Sequence, residues 1–175
     1  MNTYTIVHVV ISLIGLASGF VVLGGLLSAK RLDGWTATFL VSTTLTSVTG
    51  FGFPYHGFLP SHGVGIISLV VLAAAIYARY GRHLAGGSRR IYVAGAVSAL
   101  YFNFFVLIAQ SFQKVPALKA LAPTQSEPPF LITQLIALVA FVALGILASV
   151  RFSREVSLEW KRELGSSTKS RLASM

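Results

Sequence analysis

Five stretches of this chain contain no Asp, Glu, Lys or Arg: Thr5 to Leu27, Trp35 to Phe53, His62 to Ala78, Ile91 to Phe112 and Phe130 to Val150. Each is about the length of the roughly 20 helical residues that cross a hydrocarbon core of about 30 Å. Within lipid the backbone must satisfy its own polar groups, and a helix does so inside one segment. The stretches therefore predict an all-α fold, a polytopic membrane helix bundle with about five transmembrane helices.

Composition agrees with that reading. Charged residues make up 11% of the chain and hydrophobic ones 54%, whereas a soluble domain carries about a quarter charged residues to wet its surface. The net charge of +9 would point towards nucleic acid in a soluble protein. Here the basic residues fall between the apolar stretches, where they set topology, and no nucleic-acid partner is expected.

The segments 28–34, 79–90 and 151–175 hold Lys30, Arg31, Arg79, Arg82, Arg89, Arg90, Arg151, Arg154, Lys161, Arg162, Lys169 and Arg171, while the intervening side holds Lys114 and Lys119. This alternation of twelve against two fits five crossings of the cell inner (cytoplasmic) membrane, with the amino terminus outside and the carboxyl terminus in the cytoplasm. MNTY lacks a basic residue and the apolar run after it is long enough to span, so the first helix is expected to stay in the mature protein. Trp35, Tyr4, Tyr55 and Tyr77 stand near span ends, where amphipathic rings anchor at headgroup level.

Residues 1–151 are thus expected to form a five-helix transmembrane domain, and 152–175 a cytoplasmic tail that is amphipathic and partly disordered. Phe152, Val156, Trp160 and Leu164 fall four apart, on one face of a helix lying along the membrane surface. The final GSSTKSRLASM is small and polar, a composition that favours disorder. The chain shows no internal repeat and no phosphate-binding glycine loop.

Helices in lipid associate through close approach at small residues and through interhelical hydrogen bonds. The first helix offers Ser12, Gly15, Ser18 and Gly19, continuing towards Gly24 and Gly25. The second carries Thr36, Thr38, Ser42, Thr43, Thr44, Thr46, Ser47 and Thr49, whose hydroxyls can bond the carbonyls of their own helix. Asn103, in mid-span, is expected to hydrogen-bond to a neighbouring helix.

The absence of cysteine excludes disulfides, thiolate metal sites, iron–sulfur clusters and Cys-attached haem. The residues best suited to a cofactor are three histidines on the outer side: His8 about one turn into the first helix, and His56 and His62 flanking the hairpin FGFPYHGFLPSHG. Imidazole suits haem iron, zinc or copper. His8 with His62 is a candidate pair for haem b, and His8, His56 and His62 are candidates for a divalent metal. The competing reading is of interfacial histidines with ordinary hydrogen bonds.

The order of helix, basic turn, short helix, Pro/Gly hairpin with His, helix and Arg-His basic loop, together with His8, His62 and His83, resembles small bacterial predicted membrane proteins of unknown function. These are loosely similar to membrane b-type cytochromes. The resemblance covers about residues 5 to 110 and implies a component of membrane electron transfer that uses the outer-face histidines.

The spans contain no Asp or Glu, so paired carboxylates are missing, and Ser61 beside His62 is adjacency in sequence and not a catalytic pairing. An ion-coupled carrier would keep an ionisable residue inside the membrane. A pore formed by an oligomer would line its path with the hydroxyls of the second helix. The reading adopted from the sequence is a structural or accessory protein of the inner membrane. Its partners are the lipid bilayer and either further copies of the chain or other membrane proteins.

Overall fold

The computed structural model describes residues 2–53 and 60–173, and the side chains of all of these except 60–62 and 153–173. Among the described residues every regular element is helical: α1 (Thr3–Leu27), α2 (Asp33–Gly50), α3 (Pro60–Ile76), α4 (Ser88–Lys114), α5 (Pro116–Leu121) and α6 (Pro128–Ala173). Four helical segments are long and apolar enough to cross a membrane: Thr3–Leu27, Gly63–Gly81, Ser88–Lys114 and Pro128–Phe152. Helix α2 falls short of that composition because its 18 residues include Asp33 and a dense set of hydroxyls.

Local signals explain the ends of α1. The Asn2 side chain accepts a hydrogen bond from the Thr5 backbone N–H at 3.2 Å, capping the first turn. At the other end Lys30 N–H donates to Gly25 O (2.8 Å) and Ala29 N–H to Leu26 O (3.2 Å). Together these form a Schellman turn, with Ala29 at the left-handed position that glycine favours (φ 53). This turn sends Lys30, Arg31 and Leu32 directly into α2.

Helix α4 is the hub, packed against α1, α2, α3, α5 and α6. Small residues allow the close approaches. A Cβ built on Gly19 of α1 would lie 2.5 Å from Leu100 Cδ1 and 2.9 Å from the Phe39 ring, and one on Gly95 of α4 would lie 2.9 Å from Ala75 Cβ and 3.2 Å from the Val71 carbonyl oxygen. Around these contacts Phe39, Leu72, Ala75, Val93, Ala99 and Leu100 form the core. A second cluster of Ile108, Phe112, Ala122, Phe130 and Ala137 closes the opposite end.

The expectation for α2 hydroxyls is met by Thr38, Ser42, Thr44 and Thr49, which donate to the carbonyls of Gly34, Thr38, Leu40 and Leu45. Two others reach across: Thr36 Oγ1 lies 3.3 Å from the Tyr92 hydroxyl, and Ser47 Oγ donates to Ser68 Oγ at 3.2 Å. Thr36, Ser42 and Thr43 are buried, while Val41, Leu45 and Val48 face outwards. The polar side of α2 is therefore turned into the bundle.

Two features depart from the sequence reading. Helix α3 ends in a π-helical turn, Tyr77–Gly81, which buries Arg79, a residue expected in a solvated connection. Val115 adopts an extended conformation before Pro116, and this break starts the short helix α5. Helix α6 runs through 151 and 152 to Ala173, with no proline after Pro129 to interrupt it. Phe152, placed by the sequence at the start of the surface tail, is 1% exposed and packs beside the Tyr92 ring. The other apolar positions of that tail and its final small, polar segment lie outside the residues whose side chains are described.

Candidate functional site

The histidine end is built from the start of α1 and the end of α2. His8 Nδ1 lies 2.8 Å from Thr49 Oγ1, which also lies 2.7 Å from the Leu45 carbonyl oxygen. His8 Nδ1 and Thr49 Oγ1 thus share one hydrogen bond, Nδ1 donating in the tautomer that carries its proton there and accepting in the other. The Phe53 ring meets His8 edge-on at 5.0 Å and Tyr4 at 5.1 Å, and the Tyr4 hydroxyl donates to the Thr49 carbonyl oxygen. The cluster ties the first turn of α1 to the last turn of α2.

Of the sequence candidates, only His8 has a described side chain; His56 and the side chain of His62 lie outside the described residues, as does Tyr55. His83 stands in the turn before α4, at the opposite end, with a left-handed backbone (φ 48). Among the described residues no three His, Cys, Asp or Glu side chains converge. His8 alone of the three candidates is placed, and a hydrogen bond at Nδ1 is of the kind that orients a ligand histidine.

Glu127, the acid of the loop before α6, serves its own loop. Its carboxylate accepts from Thr124 Oγ1 at 2.8 Å and from the backbone N–H groups of Thr124 and Ser126 at 3.1 Å. Desolvation opposes ionisation there, but these donors outweigh it and hold the carboxyl below its usual pKa.

Midway along the bundle α1, α2 and α4 meet at Gly15. A Cβ there would lie 3.0 Å from Asn103 Nδ2, 3.1 Å from Thr43 Oγ1 and 3.3 Å from Ser42 Oγ. Asn103 is 8% exposed, yet its Nδ2, like Thr43 Oγ1 and Thr46 Oγ1, has no hydrogen-bond partner among the described residues. The interhelical bond expected of this amide donor is not made. A buried polar group without a partner brings no stability that an apolar group of similar volume would forfeit. Asn103→Leu is accordingly expected to change unfolding free energy by less than about 1 kcal/mol, or to raise it. Denaturation in mixed micelles checks this, and a loss of several kcal/mol would restore the amide as interhelical glue.

The basic end holds the most constructed polar arrangement. Arg79 is 7% exposed and pairs with Asp33 at the start of α2, whose side chain is 79% exposed. The guanidinium carbon lies 5.0 Å from the centre of the Tyr92 ring and 5.6 Å from that of Tyr80. Arg151 Nη1 donates to the Leu27 carbonyl at 3.3 Å, which brings α6 to the same end. Leu26, Leu32, Thr36, Tyr92 and Phe152 pack with Lys30, Arg31 and Arg79 around a narrow crevice too tight for a water molecule. In the sequence the signal for this site is Asp33, the sole acid within segments 28–34 and 79–90. No protein-family model, curated protein sequence or solved structure matches this chain.

Proposed function

We propose that the chain is a five-crossing protein of the cytoplasmic membrane, amino terminus outside and carboxyl terminus inside, that serves as a structural or accessory component among other membrane proteins or copies of itself. The observation that carries the fifth crossing is the orientation of α2. Its Thr36, Ser42 and Thr43 are buried between helices, whereas Val41, Leu45 and Val48 are exposed. A helix packed that way tolerates lipid despite its hydroxyls, because most of them bond backbone carbonyls or a neighbouring helix. Twelve basic residues against two support the orientation.

Tags at the two termini test the topology. A tag ahead of Met1 is expected to be open to protease from outside the cell and one after Met175 to be protected; both tags on one side would remove a crossing and the proposal with it. For the accessory role, extraction in a mild detergent is expected to yield the chain with a stoichiometric membrane partner or a second copy. A monodisperse single copy with no companion overturns that role.

A further inference from the structure

We propose that the outward strip of α4 is a self-association surface, on which a second copy of the chain packs and takes up the hydroxyls of Ser98 and Tyr101. This deepens the accessory reading above and rests on the chain lying in a membrane. Ile91, Ala94, Ser98, Tyr101, Phe102 and Phe105 recur at the spacing that places them along one side of α4. Ile91 and Ala94 are exposed and the other four are partly exposed, although α4 is the hub of the bundle. The strip stays open because α3 meets α4 at Gly95 and α6 meets it at Val97, while α3 and α6 do not pack on each other among the described residues.

Two hydroxyls on this strip make no hydrogen bond among the described residues. Ser98 lacks the bond to the carbonyl four residues back that Ser12, Ser18, Ser42 and Ser111 all form, and Tyr101 meets only the rings of Phe102, Phe105 and Phe141. Neither oxygen is enclosed as those of Thr43 and Thr46 are, so both come to the outer surface. Tyr101 is the middle residue of α4, about 20 Å from either end at 1.5 Å per residue. Its hydroxyl therefore stands deep in the hydrocarbon, out of reach of the headgroups. Acyl chains offer a hydroxyl no partner, so a helix that can hydrogen-bond covers this strip better than lipid does. Depth then selects the copy. Two copies in one membrane share height and orientation, so about a twofold axis the strip meets itself in register. Hydroxyls suit that symmetry because each both donates and accepts, and Ala94 and Ser98 are small enough to let the backbones approach.

The chain has no cysteine, so single introduced cysteines report contacts between copies directly. Oxidation in native membranes is expected to link Ala94→Cys or Ser98→Cys into a dimer and to leave Ile14→Cys, on the outward face of α1 and 46% exposed, unlinked. Self-association of the purified full chain is then followed by energy transfer between labelled copies as phosphatidylcholine vesicles dilute them. Tyr101→Phe, which removes one oxygen and no packing, is expected to weaken association roughly three- to tenfold, the effect of one interhelical hydrogen bond in lipid. Tyr77→Phe makes the same change at a span end and should leave association as it was. No link at either α4 position, equal linking at Ile14→Cys, equal loss in the two tyrosine variants, or a wild-type chain that is monomeric at every dilution each overturns the proposal. The wild-type dilution and the cross-links stand even if a tyrosine variant misfolds. A stoichiometric companion of another sequence released by Tyr101→Phe overturns the second copy and keeps the accessory role, while the terminal tags report topology separately.

Discussion

Replacing Gly95 with Leu is expected to part α3 from α4 and to destabilise the bundle by about 3 kcal/mol or more, at the upper end of overpacking effects. The atoms that a side chain would meet are the Val71 carbonyl oxygen and the Cα and Cβ of Ala75. None of these is the far end of a flexible side chain, so relief requires one helix to move. Lipid gives the separated helices little incentive to close again, because bundle contacts there rest on packing more than on exclusion of water. Gly24→Leu is the matched control, since nothing lies within 4 Å of a Cβ at that position. Loss of helicity on titration with a denaturing detergent measures both. Equal midpoints for the two variants would refute the assignment of Gly95 as a contact glycine.

Asp33→Asn is the second large effect, and its cost comes from what it leaves behind. The pair itself contributes little, because the carboxylate is mostly exposed and solvent screens it. Arg79, however, stays buried against Tyr92 and loses its counter-ion. A charged group left so is expected to cost about 1–3 kcal/mol. Arg79→Met added to Asp33→Asn should recover part of that loss, since a buried pair exchanged for apolar residues of similar volume is often near neutral. Arg79→Lys should not substitute for arginine, because an ammonium lacks the planar face that lies over the tyrosine ring. Unfolding midpoints of the two single variants and the double variant measure the coupling. A single Asp33→Asn indistinguishable from the parent chain would show that Arg79 needs no partner.

The helical class and the apolar segments can be read along the chain because they depend on local composition. Small residues in α1 mark a contact face, but sequence does not say which of them touch: Gly15, Ser18, Gly19 and Gly25 are buried and Gly24 is exposed. Tyr77 and Trp35 behave as outward rings, whereas Tyr92, equally close to a span end, is buried under Arg79. Arg79 reaches the Tyr92 ring from the π-helical turn at Tyr77–Gly81, a backbone feature with no sequence signature of its own. The pairing of Asp33 with Arg79 bridges 46 positions, a separation that only tertiary packing makes short. His8 was legible as a candidate, while its bond to Thr49 depends on the crossing of α1 and α2.

The helices of this bundle differ in length. With 25 residues in α1, 18 in α2 and 27 in α4, a rise of 1.5 Å per residue makes them roughly 37, 27 and 40 Å long. A hydrocarbon slab of about 30 Å matches none of them equally well. In a bilayer α1 and α4, both long and apolar enough to cross, must tilt, or the bilayer must thicken beside them, at a modest energy for each ångström of mismatch. Membrane thickness therefore bears on this protein as a mechanical load, greatest along α4, the longest of its apolar helices.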